Sequence, residues 1–235
     1  MSEAQSTAGS QTLDRGLRAL ELLADAAAPL SISELADQLG VHRSNAYRIL
    51  RTLEAHRLVL RNDAGLIHLG PRLASLGRSA IPNLQESALP VLSELANTLG
   101  MTAFVGVLDA DEVITLVTIE PTSTYAAVAQ RPGARHPVSL GAPGHAIEAS
   151  LSAEEHRKIF GDAELSDAAR TVIRDGFALS HDEVIPGLTA VAIPLRVPGI
   201  APAALAVVHI GLPGDLDEVA QQLRLSADRI ARGTR

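Results

Sequence analysis

Residues 32–51 have the sequence ISELADQLGVHRSNAYRILR, and the spacing of their apolar, small and glycine residues decides how this chain begins to fold. Apolar side chains fall at the fourth, eighth, tenth and eighteenth places, small ones at the fifth and fifteenth, and glycine at the ninth. This spacing predicts two short helices that cross at a tight turn, a helix-turn-helix. Ser31 and Glu34 form a capping-box pattern at the start of the first helix, and Gly40 suits the positive φ that ends it.

The second helix of this pattern has a polar and basic outward face. The residues predicted to meet phosphates and base edges in a major groove are His42, Arg43, Ser44, Asn45, Tyr47, Arg48 and Arg51. Within residues 41–61, five arginines stand against one acid, Glu54, so the local net charge is +4 although the whole chain carries −7. Such a basic cluster is what nucleic acid would meet. An ordinary helical hairpin with solvated arginines is the alternative.

Two short β-like runs follow the second helix, at 58–61 and 66–69. The turn-forming segment Asn62-Asp63-Ala64-Gly65 joins them, so they predict a two-stranded hairpin. A hairpin directly after a recognition helix is typical of the winged helix-turn-helix. Arg61 or Asn62 would then lie against the neighbouring DNA backbone or minor groove. A hairpin that only covers the helix remains an open alternative for these two residues.

Composition limits the class of protein. A chain of 235 residues with 46% hydrophobic and 20% charged residues has ample material for a soluble core. The absence of cysteine excludes disulfides, thiolate metal sites and a cysteine nucleophile, and it fits a reducing cytoplasm. No apolar run is long enough for a membrane span, and the N-terminal residues lack a signal-peptide core. We therefore expect a soluble cytoplasmic protein that does not associate with a membrane.

The order of predicted elements indicates an α+β protein. Its four predicted segments are a disordered tail at 1–11, a winged helix-turn-helix domain at 12–72, a linker helix at 73–84 and a mixed α/β domain at 85–235. The last of these is predicted from strands at 102–108, 113–119, 125–129, 190–195 and 203–210 and from helices at 85–99, 144–151, 153–160, 167–174 and 215–232. The net negative charge lies in the linker and the mixed α/β domain, since residues 73–235 carry a net charge of −7 and residues 1–72 have a net charge of zero.

This combination resembles the IclR family of bacterial transcriptional regulators. In the N-terminal half, RSNAYRILRTL at 43–53 is similar to the family's recognition helix, and LIHLG at 66–70 is similar to its glycine-ended wing strand. In the C-terminal half the similar segments are 133–137, APGHA at 142–146, IRDGFA at 173–178, Glu183, and GLTAVAIP at 187–194. The agreement extends over both halves of the chain at matching spacing.

The resemblance implies a GAF-like C-terminal domain that binds a small molecule, often an organic or aromatic acid. It also implies a homodimer or tetramer on a pseudo-palindromic operator, as a repressor or an activator. The implied pocket residues are Ala142, Pro143, Gly144, Ser180, Leu188, Ala190, Val207 and His209, with Tyr125 and Val128 as walls. The chain departs from the family pattern at His145, where lysine is usual, at Ser180, where some relatives have an acid, and at Val207, where some have serine.

The segment around Gly144 also suggests a ligand class by its chemistry. A helix that opens there would aim the free N–H groups of Gly144, His145 and Ala146 outward, and these with the helix dipole favour an anion such as a carboxylate. Ser180 and His209 would orient the ligand beside an apolar wall. We therefore expect a small organic acid whose binding changes operator affinity by about 1 to 3 kcal/mol. Alternatively, the small residues only allow close packing, and His209 is a satisfied core histidine.

Enzymatic and metal-binding functions have little support in the sequence. There is no G-x-S-x-G elbow, P-loop or G-x-G-x-x-G fingerprint, so we expect no enzyme and no cofactor. His136, His145, His181 and His209 are scattered, and we expect no metal site. A second class of function stays open, a metabolite-sensing module that regulates through protein partners without binding DNA.

Overall fold

The computed structural model describes residues 10–78, 82–122, 130–211 and 214–234. The chain forms two compact units, which divide between Ala80 and Ile81, inside the predicted linker segment 73–84. The N-terminal unit contains helices α1 (Gln11–Asp25), α2 (Ile32–Leu39), α3 (Arg43–Ala55) and α4 (Arg72–Arg78) and strands β1 (Val59–Arg61) and β2 (Ile67–Leu69). The C-terminal unit contains helices α5 (Pro82–Leu99), α6 (Gly141–Ser150), α7 (Ala153–Phe160), α8 (Asp167–Asp175) and α9 (Leu216–Gly233) and strands β3 (Thr102–Asp109), β4 (Glu112–Ile119), β5 (Arg135–Pro137), β6 (Ala178–His181), β7 (Leu188–Leu195) and β8 (Ala203–Ile210).

The helix-turn-helix begins and ends where the sequence predicts. The Ser31 side chain accepts a hydrogen bond from the Glu34 N–H at 3.2 Å, and the Glu34 carboxylate accepts one from the Ser31 N–H at 2.7 Å. A cap of this kind contributes about 1 kcal/mol to helix stability. Gly40 ends α2 at φ +64°, and the fully buried Ala46 faces the core. The wing hairpin of β1 and β2 is confirmed as an antiparallel pair that starts one residue later in each strand than predicted.

A six-stranded antiparallel sheet in the order β5-β4-β3-β8-β7-β6 organises the C-terminal unit. One face of the sheet packs against α5 and α9, and the other packs against α6 and α8. The central strands β3 and β8 are buried along most of their length because both faces are covered. The predicted α+β class, with a winged helix-turn-helix followed by a GAF-like domain, is confirmed.

Several predicted boundaries in this unit were wrong. The helix predicted from Gln85 begins at Pro82, where proline is favoured because the first helical N–H needs no partner. The helix predicted from Gly144 begins at Gly141. Strands β5 and β6 were not predicted, since three and four residues are too short to show a period. The predicted strand at 125–129 lies outside the described residues.

Candidate nucleic-acid interface and ligand pocket

Helix α3 presents its predicted contact residues to solvent. All seven of them are exposed, namely His42, Arg43, Ser44, Asn45, Tyr47, Arg48 and Arg51. The same helix buries Ala46, Ile49, Leu50 and Leu53 against the N-terminal core. The helical period therefore separates the two sets around the helix axis, with one face in the core and the other free for a partner.

The arginines on this face have no acidic partner among the described residues. Arg43, Arg48 and Arg51 form no ion pair within the part of the chain that the structure describes. The first turn of α3 contains no acidic residue, and His42 precedes the helix without a side-chain capping bond. The positive end of the helix dipole thus adds to the arginine charges, an arrangement that favours phosphate groups.

The wing residues differ from the helix residues in this respect. The Arg61 Nε lies 3.1 Å from the Glu54 Oε1 on α3, and both side chains are partly exposed. The Asn62 side chain accepts a hydrogen bond from the Leu66 N–H at 2.9 Å and stabilises the turn. Both predicted wing contacts thus have intramolecular partners, as expected for a hairpin that covers the helix. The Nε–H of Arg61 is thus engaged by Glu54, so this arginine differs from the unpaired arginines of α3.

In the C-terminal unit, helix α6 starts with two N–H groups that aim at other segments of the chain. The Gly141 N–H donates to the Glu183 Oε2, and the Ala142 N–H donates to the Ser180 Oγ, each at 2.8 Å. Gly141 has φ +76°, a conformation that glycine adopts without a steric cost. The predicted donors Gly144, His145 and Ala146 were wrong, because the helix begins three residues earlier and their amides lie beyond the N–H groups that open its first turn.

A small cavity adjoins this helix start. Its volume is about 40 Å³, and it is lined by Phe104, Gln130, His136, Gly141, Pro143, Ser180, Glu183, Val184, Ile185, Leu188, Ala190 and Val208. Of the predicted pocket residues, it therefore brings together Pro143, Ser180, Leu188 and Ala190, with Ala142 hydrogen-bonded to Ser180 at its edge. The volume is about that of one or two water molecules and well below that of organic-ligand sites.

Two predicted pocket residues on β8 lie on the wrong face of the sheet. Val207 is 1% exposed and packs in the core between the sheet and α5 and α9. Its neighbour Val208 lines the cavity instead. Side chains alternate along a strand, so His209 lies on the same face as Val207. The predicted pocket residues of β8 are therefore displaced by one residue from the face that lines the cavity. Tyr125 and Val128 lie outside the described residues.

His209 does not match the satisfied core histidine that the sequence left as an alternative. His209 is opposite Thr189 in the β7–β8 pair, and the His209 Nδ1 is buried without a hydrogen-bond partner among the described residues. Nor does it line the cavity. An orienting role for this histidine toward a ligand therefore has no geometric support.

Gly144 is required by packing. A Cβ at this position would overlap the carbonyl oxygen of Val138 in the segment that leads into α6. The close approach of these two backbones holds the first turns of α6 against the chain that enters it. For this glycine, the alternative of close packing is the one that the structure supports.

His145 is buried, with 6% of its surface exposed. Its Nε2 lies 2.8 Å from the Glu183 Oε2. Its Nδ1 is buried and has no hydrogen-bond partner in the described ranges. Glu183 therefore meets both a backbone donor at the start of α6 and an imidazole one turn further along.

Sequence reasoning missed several lining residues, although signals for some of them existed. Glu183 stood in a family-like segment but was given no role. Val208 and Phe104 follow from strand alternation once the register of β3 and β8 is known. His136 is contributed by the unpredicted strand β5, and burial lowers the pKa of its imidazole below the ordinary value. No three His, Asp or Glu side chains of the described residues are grouped as a metal ion requires.

The fold and these two regions define a class of protein, a winged helix-turn-helix joined to an α+β sensory domain. The family model for the IclR helix-turn-helix domain matches residues 12–63, and the model for the bacterial transcriptional regulator IclR C-terminal region matches residues 80–232. This chain therefore belongs to the IclR family of DNA-binding transcriptional regulators.

Individual proteins agree with this assignment. The chain is 31% identical over 223 residues to the HTH-type transcriptional regulator BhcR of Paracoccus denitrificans. The matched region covers 87% of this chain and 79% of BhcR. The crystal structure of an IclR transcriptional regulator from Alicyclobacillus acidocaldarius superposes with a TM-score of 0.82 at 26% identity, covering 97% of this chain and all (100%) of that chain.

A third comparison concerns the fold alone. An IclR homologue from Microbacterium hydrocarbonoxydans, crystallised with 4-hydroxybenzoate, has a TM-score of 0.82 at 21% identity and covers 95% of this chain and 99% of its own. Among the described residues, every helix is too short or too polar to cross a membrane.

Proposed function

We propose that this chain is a cytoplasmic regulator that binds a pseudo-palindromic operator as a homodimer or tetramer, with α3 in the major groove. The observation that carries the proposal is the exposed face of α3, where three arginines, Arg43, Arg48 and Arg51, have no acidic partner among the described residues. One small winged domain makes few contacts, so two copies on a symmetric site supply the affinity that specific binding requires. We assign residues 12–72 to DNA binding, 73–84 to the linker and 85–235 to the sensory and oligomerisation domain.

Operator binding by variants of one arginine tests this proposal. Arg48→Ala is expected to weaken binding to the upstream region of the protein's own gene by about 1 to 3 kcal/mol, since a base or phosphate contact is lost. Fluorescence anisotropy with labelled DNA measures the affinity, and a steep loss with added salt is expected for phosphate contacts.

Arg18→Ala is the matched control. Arg18 is exposed on α1 in the same unit, and its replacement removes the same charge. Equal operator affinities for the parent, Arg43→Ala and Arg48→Ala would exclude α3 as the reading surface. A protein that binds no DNA and instead captures a protein partner would favour the alternative sensing module.

We further propose that the cavity beside α6 opens to admit a small organic or aromatic acid, which alters operator affinity. Two observations support this. The relative from Microbacterium hydrocarbonoxydans was crystallised with 4-hydroxybenzoate, and Gly141, whose N–H is held by the Glu183 carboxylate in this structure, lies at the cavity wall at the start of α6. The apolar residues Phe104, Leu188 and Val208 line the cavity and suit the body of such a ligand. Calorimetric screening of small acids, followed by the DNA assay with each binder, tests this step. If no binder changes operator affinity, the assignment of a sensory role fails.

A further inference from the structure

The carboxylate of Glu183 already has the contacts that a bound acid would need. Its Oε2 accepts a hydrogen bond from the Gly141 N–H and lies 2.8 Å from the His145 Nε2. The first of these donors is at the positive end of the α6 dipole. A backbone amide at a helix start, with an imidazole beside it, is a set of groups that suits a carboxylate of any origin.

Glu183 belongs to the β6–β7 loop, residues 182–187, every one of which is exposed. Val184 and Ile185 of this loop line the cavity, yet 44% and 45% of their surfaces remain exposed. The loop therefore closes over the cavity without being packed into the core. Segments with few buried apolar contacts open at a low free-energy cost.

The size of the cavity completes the argument. At about 40 Å³ it does not hold an organic acid while the β6–β7 loop is closed. Moving Glu183 away from α6 would free the Gly141 N–H and His145 Nε2 and would remove Val184 and Ile185 from the cavity wall. The same movement thus creates both the space and the anion site.

We propose that Glu183 is a built-in competitor of the effector: its carboxylate occupies the anion site at α6 and holds the β6–β7 loop shut, and an entering carboxylate displaces it. The proposal rests on the proposed effector pocket and adds how that pocket is regulated. The affinity of an acid is then reduced by the fraction of molecules in which the loop is open. A regulator built this way responds only to acids that outcompete a tethered carboxylate.

Acetate is the probe for a test on the full-length protein, because it is little more than a carboxylate group. We expect acetate to shift the amide resonances of Gly141 and Ala142, and to do so at about tenfold lower concentration in Glu183→Gln than in the parent. Acetamide at the same concentrations has no charge and is expected to shift neither resonance. In the absence of any acid, hydrogen exchange at the Gly141 N–H is expected to be faster in Glu183→Gln than in the parent.

Glu164→Gln is the matched control, since its side chain is 92% exposed, lies in the same unit and loses the same charge. It is expected to behave as the parent in every measurement.

Equal acetate affinities of the parent and Glu183→Gln would overturn the proposal, and so would an absence of shifts at Gly141 in both. Operator binding by the same preparations separates the two hypotheses. A parent whose DNA binding responds to an acid, with no effect of Glu183→Gln, refutes only the competitor, whereas a parent that binds no operator refutes the proposed function.

Discussion

Helix α3 and the pocket beside α6 are built in opposite ways. The candidate DNA contacts from Arg43 to Arg51 lie on one continuous helix, and His42 directly precedes it. The residues on the helix are exposed because the helical period places them opposite the buried residues Ala46, Ile49 and Leu50. The pocket gathers residues from β3, β5, α6, β6, β7 and β8, from the β6–β7 loop and from Gln130, which precedes β5. Its composition depends on strand register and loop position, which no single stretch of sequence contains. A contact surface on one helix can thus be assigned locally, whereas this pocket cannot.

The largest expected effect tests whether Gly144 at the start of α6 is required for close packing of the backbone and not for ligand binding. Gly144→Ala places a Cβ against the backbone carbonyl of Val138, and backbone atoms there cannot move aside cheaply. We expect a loss of about 3 kcal/mol or more in the free energy of unfolding, measured by denaturant titration with circular dichroism.

The control for that measurement is Gly214→Ala in the same unit. A Cβ at Gly214 meets no heavy atom within 4 Å among the described residues, so the change is expected to stay within about 0.5 kcal/mol. If Gly144→Ala is as stable as the parent and only acid binding changes, Gly144 is a pocket residue after all.

An intermediate effect is expected from two neighbouring valines that the sequence alone did not separate. Val207→Ala removes buried methyl groups from the core of α5, α9 and the sheet, at a cost of about 2 kcal/mol in stability and none in acid affinity. Val208→Ala shortens a side chain of the cavity wall and is expected to change the affinity of a bound acid by about 1 kcal/mol. Calorimetry and denaturant titration on both variants measure the two quantities. Loss of acid affinity in Val207→Ala alone would reverse the register described here.

The smallest expected effect tests the distinction between the free arginines of α3 and the paired arginine of the wing. Glu54→Gln removes the negative charge that pairs with Arg61 and makes that guanidinium more available to a phosphate. We expect operator binding to tighten by about 0.5 kcal/mol, since a partly exposed ion pair is weak.

Glu21→Gln, an exposed acid on α1, is the comparison for the change in net charge. The anisotropy assay on DNA measures both variants. If both tighten binding equally, only the charge matters and Arg61 has no specific contact.

Local sequence patterns were sufficient to predict the helices and strands of the N-terminal unit and part of those of the C-terminal unit. The capping box at Ser31, the positive φ of Gly40 and the outward arginines follow from spacing along one helix pair. In the C-terminal unit, helices α7, α8 and α9 and strands β3, β4 and β8 lie close to their predicted ranges. Strand β6 is an edge strand of four residues, which is too short for an alternation to be recognised.

The sequence by itself determined the family, the α+β class, the orientation of α3 and the presence of small residues at the start of α6. Only the tertiary structure decided that α6 begins at Gly141, that Val208 and not Val207 faces the cavity, and that Glu183 lies against the first amide of the helix. The physical reason is the range of the interactions. A helix face is set by residues three and four apart, whereas Gly141 and Glu183 meet across 42 residues of chain because the sheet and its loop bring them together.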